Sequence, residues 1–186
     1  MSKQTLLLIL ALLAITAMLF YVALKQQAPA PVTQVAIPTP TPIAQTQLNF
    51  GTLLSTPSAL GKITYSLPVT ISTGTNKVTA VQLELQYDPS VINTVAVAPG
   101  PFLANPVILL NKIDQKNGRV SYALGISPQD SGKLGSGNVA ILTFETLVQT
   151  PTQTTIQFLP KSLVTAEGII QSVLAGTNSA QITLMK

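Results

Sequence analysis

The sequence contains no cysteine, no histidine and no tryptophan, and only 9% of its 186 residues carry charge. The absence of cysteine excludes disulfide bonds, a thiolate nucleophile and a lipid-modified cysteine anchor. The absence of histidine removes the commonest general base, and the two absences together remove the usual zinc ligands. We therefore predict that the protein is not an enzyme and that it has no catalytic residues, no bound metal and no cofactor.

Positive charge is present but is spread along the chain. Ten basic residues against six acidic residues give a net charge of +4. Phosphate contacts require clustered lysine and arginine, and the aromatic residues that stack on bases are few. The basic residues between positions 48 and 185 form no cluster: Lys62, Lys77, Lys112, Lys116, Arg119, Lys133 and Lys161. We therefore expect no binding to nucleic acid.

Two arrangements of acidic residues are candidates for chemistry. Glu84 and Glu145 fall on outward positions of predicted strands, and they would form a carboxylate pair only if those strands were neighbours. Asp114 opens the sequence Asp-Gln-Lys-Asn-Gly, which lacks the acidic density of a calcium loop. Asn117 and Gly118 accept positive φ and indicate a hairpin turn. Solvated charges on outward strand faces explain the first arrangement, and a hairpin turn explains the second.

Long apolar sequence is confined to the N-terminus. Residues 6–24 have Thr16 as their only strongly polar member, and a helix of this length spans about 28 Å, close to the hydrocarbon core of a bilayer. A cleaved signal peptide is the alternative, but its apolar region is usually only about 7–15 residues long. We predict an uncleaved transmembrane anchor over residues 1–25. Lys3 before the span places the N-terminus in the cytoplasm and the rest outside.

Proline dominates the next segment. Residues 26–47 contain five prolines and no charged residue. Proline favours extended polyproline geometry, which rises about 3.1 Å per residue, and it disrupts helices and central strands. This segment is therefore predicted to be a semi-rigid linker between the membrane and a folded domain.

Residues 48–186 show a periodicity of two, which is typical of strands with one buried face. In the segment 81–87, for example, Val, Leu, Leu and Tyr alternate with Gln, Glu and Gln. Turn sequences rich in glycine and asparagine separate such segments. Strands are predicted near 62–71, 78–87, 93–98, 107–113, 120–126, 140–145, 154–159 and 180–185. Eight or nine short strands in one domain indicate an all-β sandwich.

Four segments occur in an order that is similar to a known family. They are ITYSLPVTI at 63–71, VTAVQLELQYDPSVINTVAVAPG at 78–100, NGRVSYALGIS at 117–127 and GSGNVAILTFETL at 135–147. The second has a strand, Tyr-Asp-Pro, a hydrophobic pair and a Pro-Gly turn, and the fourth has a Gly-rich loop before a strand with a central Phe. Together they resemble the cohesin domain. The resemblance implies a jelly-roll sandwich of about nine strands.

The resemblance also implies a function and a site. Cohesins bind the helices of calcium-loaded dockerin modules on a flat sheet face, and the calcium belongs to the dockerin. Carried over strand by strand, that partner-binding face includes outward residues of two strands: Gln82, Glu84 and Gln86, and Ser121, Ala123 and Gly125. The second set is small, which suits close approach of a partner helix. Ala80 and Gln82 stand where many dockerin-binding cohesins have Asn or Asp.

The resemblance, taken with the apolar N-terminal segment, implies a non-catalytic protein-binding module on a bacterial or archaeal cell surface, in the context of polysaccharide degradation. It is anchored through residues 6–24, and its domain is extracellular. A carbohydrate-binding module from the same superfamily is the first alternative, and exposure of Tyr65 would favour it. The second alternative is a structural subunit of a surface layer or filament, joined through exposed sheet edges.

Overall fold

The computed structural model describes residues 2–25, 44–57 and 62–185. The chain divides into two compact units, Met1–Thr41 and Pro42–Lys186. Most of the predicted linker lies outside the described residues. The first strand begins at Thr46, so the last two positions of the predicted linker, 46 and 47, belong to a sheet.

The described residues of the N-terminal unit form the helix α1, which covers Lys3–Lys25. Its segment Lys3–Val22 has a mean hydropathy of 2.6 and is long and apolar enough to cross a membrane, a property that signal sequences share. The hydroxyl of Thr16, the polar interruption, donates to the carbonyl oxygens of Leu12 and Leu13 at 3.0 Å. This side chain therefore satisfies its hydrogen-bonding capacity inside its own helix, as an apolar environment requires.

The C-terminal unit is a sandwich of two six-stranded sheets. Its strands are β1 (Thr46–Phe50), β2 (Leu54–Pro57), β3 (Ile63–Ser72), β4 (Val78–Gln86), β5 (Ile92–Pro99), β6 (Val107–Asp114), β7 (Arg119–Gly125), β8 (Ser136–Thr146), β9 (Thr152–Phe158), β10 (Leu163–Ala166), β11 (Leu174–Thr177) and β12 (Ala180–Leu184). The first sheet has the order β11-β1-β3-β8-β5, with β2 paired to β3. The second has the order β12-β9-β4-β7-β6, with β10 paired to β4. β1 and β11 pair in parallel, and the other pairs are antiparallel.

The eight predicted strands are present, and four more appear in the described part of the chain. The additional strands are β1, β2, β10 and β11, each only four or five residues long. None of them has a long alternating pattern, and every residue of β2 is exposed. These short segments form strands because a longer neighbouring strand supplies their backbone hydrogen-bond partners. The local sequence does not reveal which segment will be that neighbour.

The core lies between the sheets and follows the predicted alternation. Leu67, Val69 and Ile71 of β3 point inward from the first sheet, and Leu83 and Leu85 of β4 point inward from the second; each is at most 1% exposed. Successive strand residues face opposite sides, so one face of each strand enters the core. Burial of each such side chain contributes about 1.5–3 kcal/mol.

The segment Tyr87-Asp88-Pro89 ends β4 and redirects the chain. The Asp88 carboxylate accepts hydrogen bonds from the backbone N–H of Ser90 at 2.9 Å and from its hydroxyl at 2.6 Å. The Asp88 carbonyl accepts from the N–H groups of Val91 and Ile92. Local hydrogen bonding by Asp88 and the missing N–H of Pro89 together end the strand.

Candidate partner-binding face

The six predicted site residues lie on one surface, the outer side of β4 and β7 in the second sheet. Cross-strand pairs join Gln82 to Ala123 and Glu84 to Ser121. The remaining two, Gln86 and Gly125, pair with Arg119 and Ala80 at opposite ends of the same ladder. We call this surface, extended by the neighbouring strand β6, the β6–β7–β4 face. The residues of β4 that alternate with the predicted site residues lie in the core. The side-chain period of two therefore turns the site residues outward.

Glu84 is the centre of a hydrogen-bond network on this face. Its Oε1 accepts from Nε2 of Gln82 at 3.0 Å, and its Oε2 accepts from the hydroxyl of Ser121 at 2.6 Å. The backbone N–H of Glu84 donates to Oγ of Ser162 at 3.1 Å, and that hydroxyl donates to the Glu84 carbonyl at 3.2 Å. These contacts hold the carboxylate against the sheet and leave its outer lone pairs as fixed acceptors.

At one end of the face, the side chain of Gln86 makes hydrogen bonds within the domain. Its Nε2 donates to the carbonyl oxygens of Asn117 at 2.9 Å and of Gly118 at 3.1 Å, both in the β6–β7 turn. Its Oε1 accepts from Nε of Arg119 at 3.2 Å. Gln86 therefore ties the turn to β4 and orients the arginine side chain.

The other end of the face is small and flat. Ala123 is only 9% exposed although it points outward, because neighbouring side chains cover it. A Cβ added at Gly125 would meet the Cβ of Ala80 at 3.0 Å and Cδ1 of Leu109 at 3.6 Å. The absence of a side chain at Gly125 therefore allows Leu109 to lie close to β7, where a larger residue would force the strands' side chains apart.

The sequence prediction missed the apolar part of this face, which is supplied by β6. Its first four residues are Val107, Ile108, Leu109 and Leu110, exposed by 46%, 47%, 65% and 39%. Val107 and Leu110 pair with the outward residues Gly125 and Ala123, whereas Ile108 pairs with the buried Leu124. β6 is the edge strand of the second sheet, and its register shifts between Ile108 and Leu110. The sequence signal that could have revealed this apolar surface is the run of four consecutive apolar residues. A strand with one buried face would instead alternate apolar and polar residues. Exposed contiguous apolar surface of this kind marks interaction sites.

Charged side chains lie at the opposite end from the apolar run. Register places Lys112 beside Ser121, and Asp114 beside Arg119. Glu84, Arg119, Ser121, Leu159, Pro160 and Lys161 line a shallow cleft of about 470 Å³ at this end. The face thus changes along its length from apolar to charged.

The fold shows where the two candidate arrangements of acidic residues lie. Glu84 lies on β4 and Glu145 on β8, and these strands belong to different sheets, so the two carboxylates do not form a pair across neighbouring strands. Asp114 accepts from the N–H of Asn117 at 3.1 Å and from its amide Nδ2 at 2.7 Å, which stabilises a turn. These hydrogen bonds hold the pKa of Asp114 below its usual value. Among the described residues, acidic side chains form no group of three that could hold a metal.

The tyrosines of the domain form no surface platform. Tyr65, Tyr87 and Tyr122 are 3%, 3% and 0% exposed. The hydroxyl of Tyr65 donates to the carbonyl of Met185 at 2.6 Å and accepts from its N–H at 2.9 Å. Exposure of Tyr65 would have favoured a carbohydrate-binding module. Tyr65 is buried, so this alternative gains no support from the tyrosines.

The chain was compared with known families and structures. The sequence profile of the cohesin domain matches residues 62–184. The chain belongs to the cohesin domain family. This match confirms the predicted resemblance. Cohesins are non-catalytic protein-interaction domains, consistent with the expectation that this chain is not an enzyme.

Solved structures agree with this assignment at the level of the fold. CaCohA2 from Clostridium acetobutylicum is 19% identical with a TM-score of 0.58, over 77% of this chain and 92% of that chain. The third cohesin of ScaC from Acetivibrio cellulolyticus, solved with the ScaB dockerin, is 14% identical with a TM-score of 0.58, over 76% and 100%. Coh-OlpC from Clostridium thermocellum, solved with Doc435, is 14% identical with a TM-score of 0.57, over 76% and 94%. No curated protein matches the chain.

Proposed function

We propose that this cohesin uses the β6–β7–β4 face to bind a protein partner of dockerin type. The observation that carries the proposal is the continuity of the face: register places the exposed Val107 beside Gly125 and Leu110 beside Ala123, and Leu109 also lies close to Gly125. Small residues allow the backbone of a partner helix to approach the sheet, and the apolar edge gives that helix surface to bury.

The polarity of the face defines the partner. Near Leu109 the partner presents an apolar side chain. Near Arg119 and Lys161 it presents acceptors or acidic groups, and Glu84, held by Gln82 and Ser121, accepts hydrogen bonds from the partner. Because Ala80 contributes only a methyl group at the apolar end, affinity there depends on burial of apolar surface rather than on side-chain hydrogen bonds.

The N-terminal helix gives the module a location. We assign α1 as an uncleaved membrane anchor with the cohesin domain outside, because Lys3–Val22 has a mean hydropathy of 2.6 and is long enough to span a bilayer. The anchor holds a surface-displayed receptor for dockerin-bearing proteins, including those that act on polysaccharides. Calcium in the complex belongs to the partner.

A direct binding measurement tests the proposal. The full chain is reconstituted in nanodiscs, and purified calcium-loaded dockerins, including the ScaB dockerin and Doc435, are titrated by biolayer interferometry. We expect at least one dockerin to bind and calcium chelation to abolish the binding. Leu109→Lys, which places charge on the apolar part of the face, should weaken binding by about ten-fold or more, as loss of a central interface residue does.

Leu54→Lys is the matched control for this substitution. Leu54 is 57% exposed and lies on β2 of the other sheet, whereas Leu109 is 65% exposed on β6. The same charge is therefore introduced at two similarly exposed leucines. Absence of binding by every dockerin, or equal affinities of the two variants, would overturn the proposal.

A further inference from the structure

A pair of shallow clefts lies at the edge of the sandwich where β1 and β11 of the first sheet approach β9 and β12 of the second. The first cleft has a volume of about 500 Å³ and is lined by β1, β12 and the turn before β12. The second, of about 440 Å³, is lined by β11 and the segment after β9. Both volumes fall within the roughly 300–1,000 Å³ of small-molecule sites. Neither cleft includes a residue of the β6–β7–β4 face.

Each cleft contains one of two phenylalanine rings that stack on each other. Phe50 at the end of β1 lines the first cleft, and Phe158 at the end of β9 lines the second. Their ring centroids are 4.6 Å apart with an interplanar angle of 28°. Each is only partly buried, so each contributes aromatic surface to its cleft. This pairing joins the two sheets at their open edge and brings the clefts side by side.

The polar lining of both clefts is neutral. The first contains Asn49, Asn178, Ser179, Gln181 and Thr183, and the second contains Ser162, Ser172 and Thr177. Among the described residues, no lysine, arginine, aspartate or glutamate lines either cleft. Amide and hydroxyl side chains each offer donors and acceptors, which is the combination that a ligand rich in hydroxyl groups requires.

The amides of the first cleft are already oriented. Nδ2 of Asn178 donates to Oδ1 of Asn49 at 2.6 Å, and the backbone N–H of Asn178 donates to the carbonyl of Leu48 at 3.2 Å. The hydrogen bond between the two side chains uses Nδ2 of Asn178 and Oδ1 of Asn49, and it does not involve Oδ1 of Asn178 or Nδ2 of Asn49. Asn178 and Gln181 are exposed, so their amide groups are accessible to a ligand.

We infer that these clefts form a binding site for a neutral oligosaccharide, in addition to the proposed partner-binding face. The aromatic rings match the apolar C–H face of a pyranose ring, and the surrounding amides and hydroxyls match its hydroxyl groups. Two adjacent clefts accommodate consecutive sugar units of one chain. The neutral lining selects against charged sugars, because a carboxylate would lose hydration without gaining a cationic partner.

The site is tested on the full chain in micelles of a zwitterionic detergent, since the sugar head group of a maltoside would compete. Cellohexaose, xylohexaose and maltohexaose are titrated by isothermal calorimetry at millimolar concentrations, with hexagalacturonic acid as the charged comparison. We expect at least one neutral hexasaccharide to bind and the charged one not to bind. Phe50→Ala should abolish binding, and Gln181→Ala, at an exposed position, should weaken it about two- to ten-fold.

Gln153→Ala is the matched control, because Gln153 is exposed on β9 opposite Thr183 and lines neither cleft. Its affinity should equal that of the unmodified chain. Three outcomes overturn the inference: none of the neutral hexasaccharides binds, hexagalacturonic acid binds as tightly, or Gln181→Ala and Gln153→Ala have the same affinity. Since Gln181→Ala removes no core contact, a folding defect in Phe50→Ala leaves the test intact.

Discussion

Replacement of Tyr122 and Tyr65 by phenylalanine should change stability in opposite directions. Both side chains are buried, at 0% and 3% exposure. The hydroxyl of Tyr122 is buried without a hydrogen-bond partner among the described residues. The hydroxyl of Tyr65, in contrast, makes two hydrogen bonds to the backbone of Met185, at 2.6 and 2.9 Å. The same chemical change therefore removes an unsatisfied group in one case and a satisfied group in the other.

The magnitudes follow from these contacts. A buried polar group without a partner costs about 1–3 kcal/mol, and removal of one oxygen forfeits only a few tenths of a kcal/mol of dispersion. Tyr122→Phe should therefore stabilise the domain by about 1 kcal/mol. Each hydrogen bond of Tyr65 contributes about 0.5–1.5 kcal/mol, so Tyr65→Phe should destabilise the domain by about 1–3 kcal/mol.

Equilibrium urea unfolding of the full chain in detergent micelles, followed by far-ultraviolet circular dichroism, measures both changes as shifts in midpoint at constant slope. Burial raises the pKa of Tyr122. The unfolded chain therefore ionises first as pH rises, and stability falls above about pH 10. Tyr122→Phe should reduce this loss of stability at alkaline pH. A destabilised Tyr122→Phe variant would refute the reasoning, since it would mean that the hydroxyl has a partner such as a buried water.

Two further predictions concern the turns that frame the partner-binding face. Gly118 has φ of +63°, and an added Cβ would lie against the carbonyl oxygen of Tyr87, so Gly118→Ala should destabilise the domain by about 2 kcal/mol or more in the same urea assay. Gly176→Ala is its control, because no atom lies within 4 Å of an added Cβ there; equal effects would contradict the prediction. For Asp88, hydrogen bonds from Ser90 lower the pKa, so its contribution is present above about pH 3.9 and is lost as pH falls through the lowered pKa. The stability difference between Asp88→Asn and the unmodified chain should therefore shrink in acid, and a difference independent of pH would contradict this assignment.

Most of the sandwich could be predicted because its long strands carry their own burial pattern. Alternation in β4, β7 and β8 identified each buried face before any partner strand was known, and turn sequences rich in glycine and asparagine separated the strands. The short strands β1, β2, β10 and β11 could not be predicted in this way. Their sequences carry too few alternating positions, and a neighbouring strand supplies their hydrogen-bond partners.

The sequence by itself determined which residues of β4 and β7 face outward. It also determined the apolar helix, the turns and the absence of histidine and cysteine chemistry. Only the tertiary structure decided what stands beside those outward residues. It separates Glu84 from Glu145, places the exposed edge of β6 next to Gly125, and brings Phe50 against Phe158 from different sheets. Periodicity records whether a side chain is buried, but contacts between sheets and at edges depend on strand order, which no local pattern encodes.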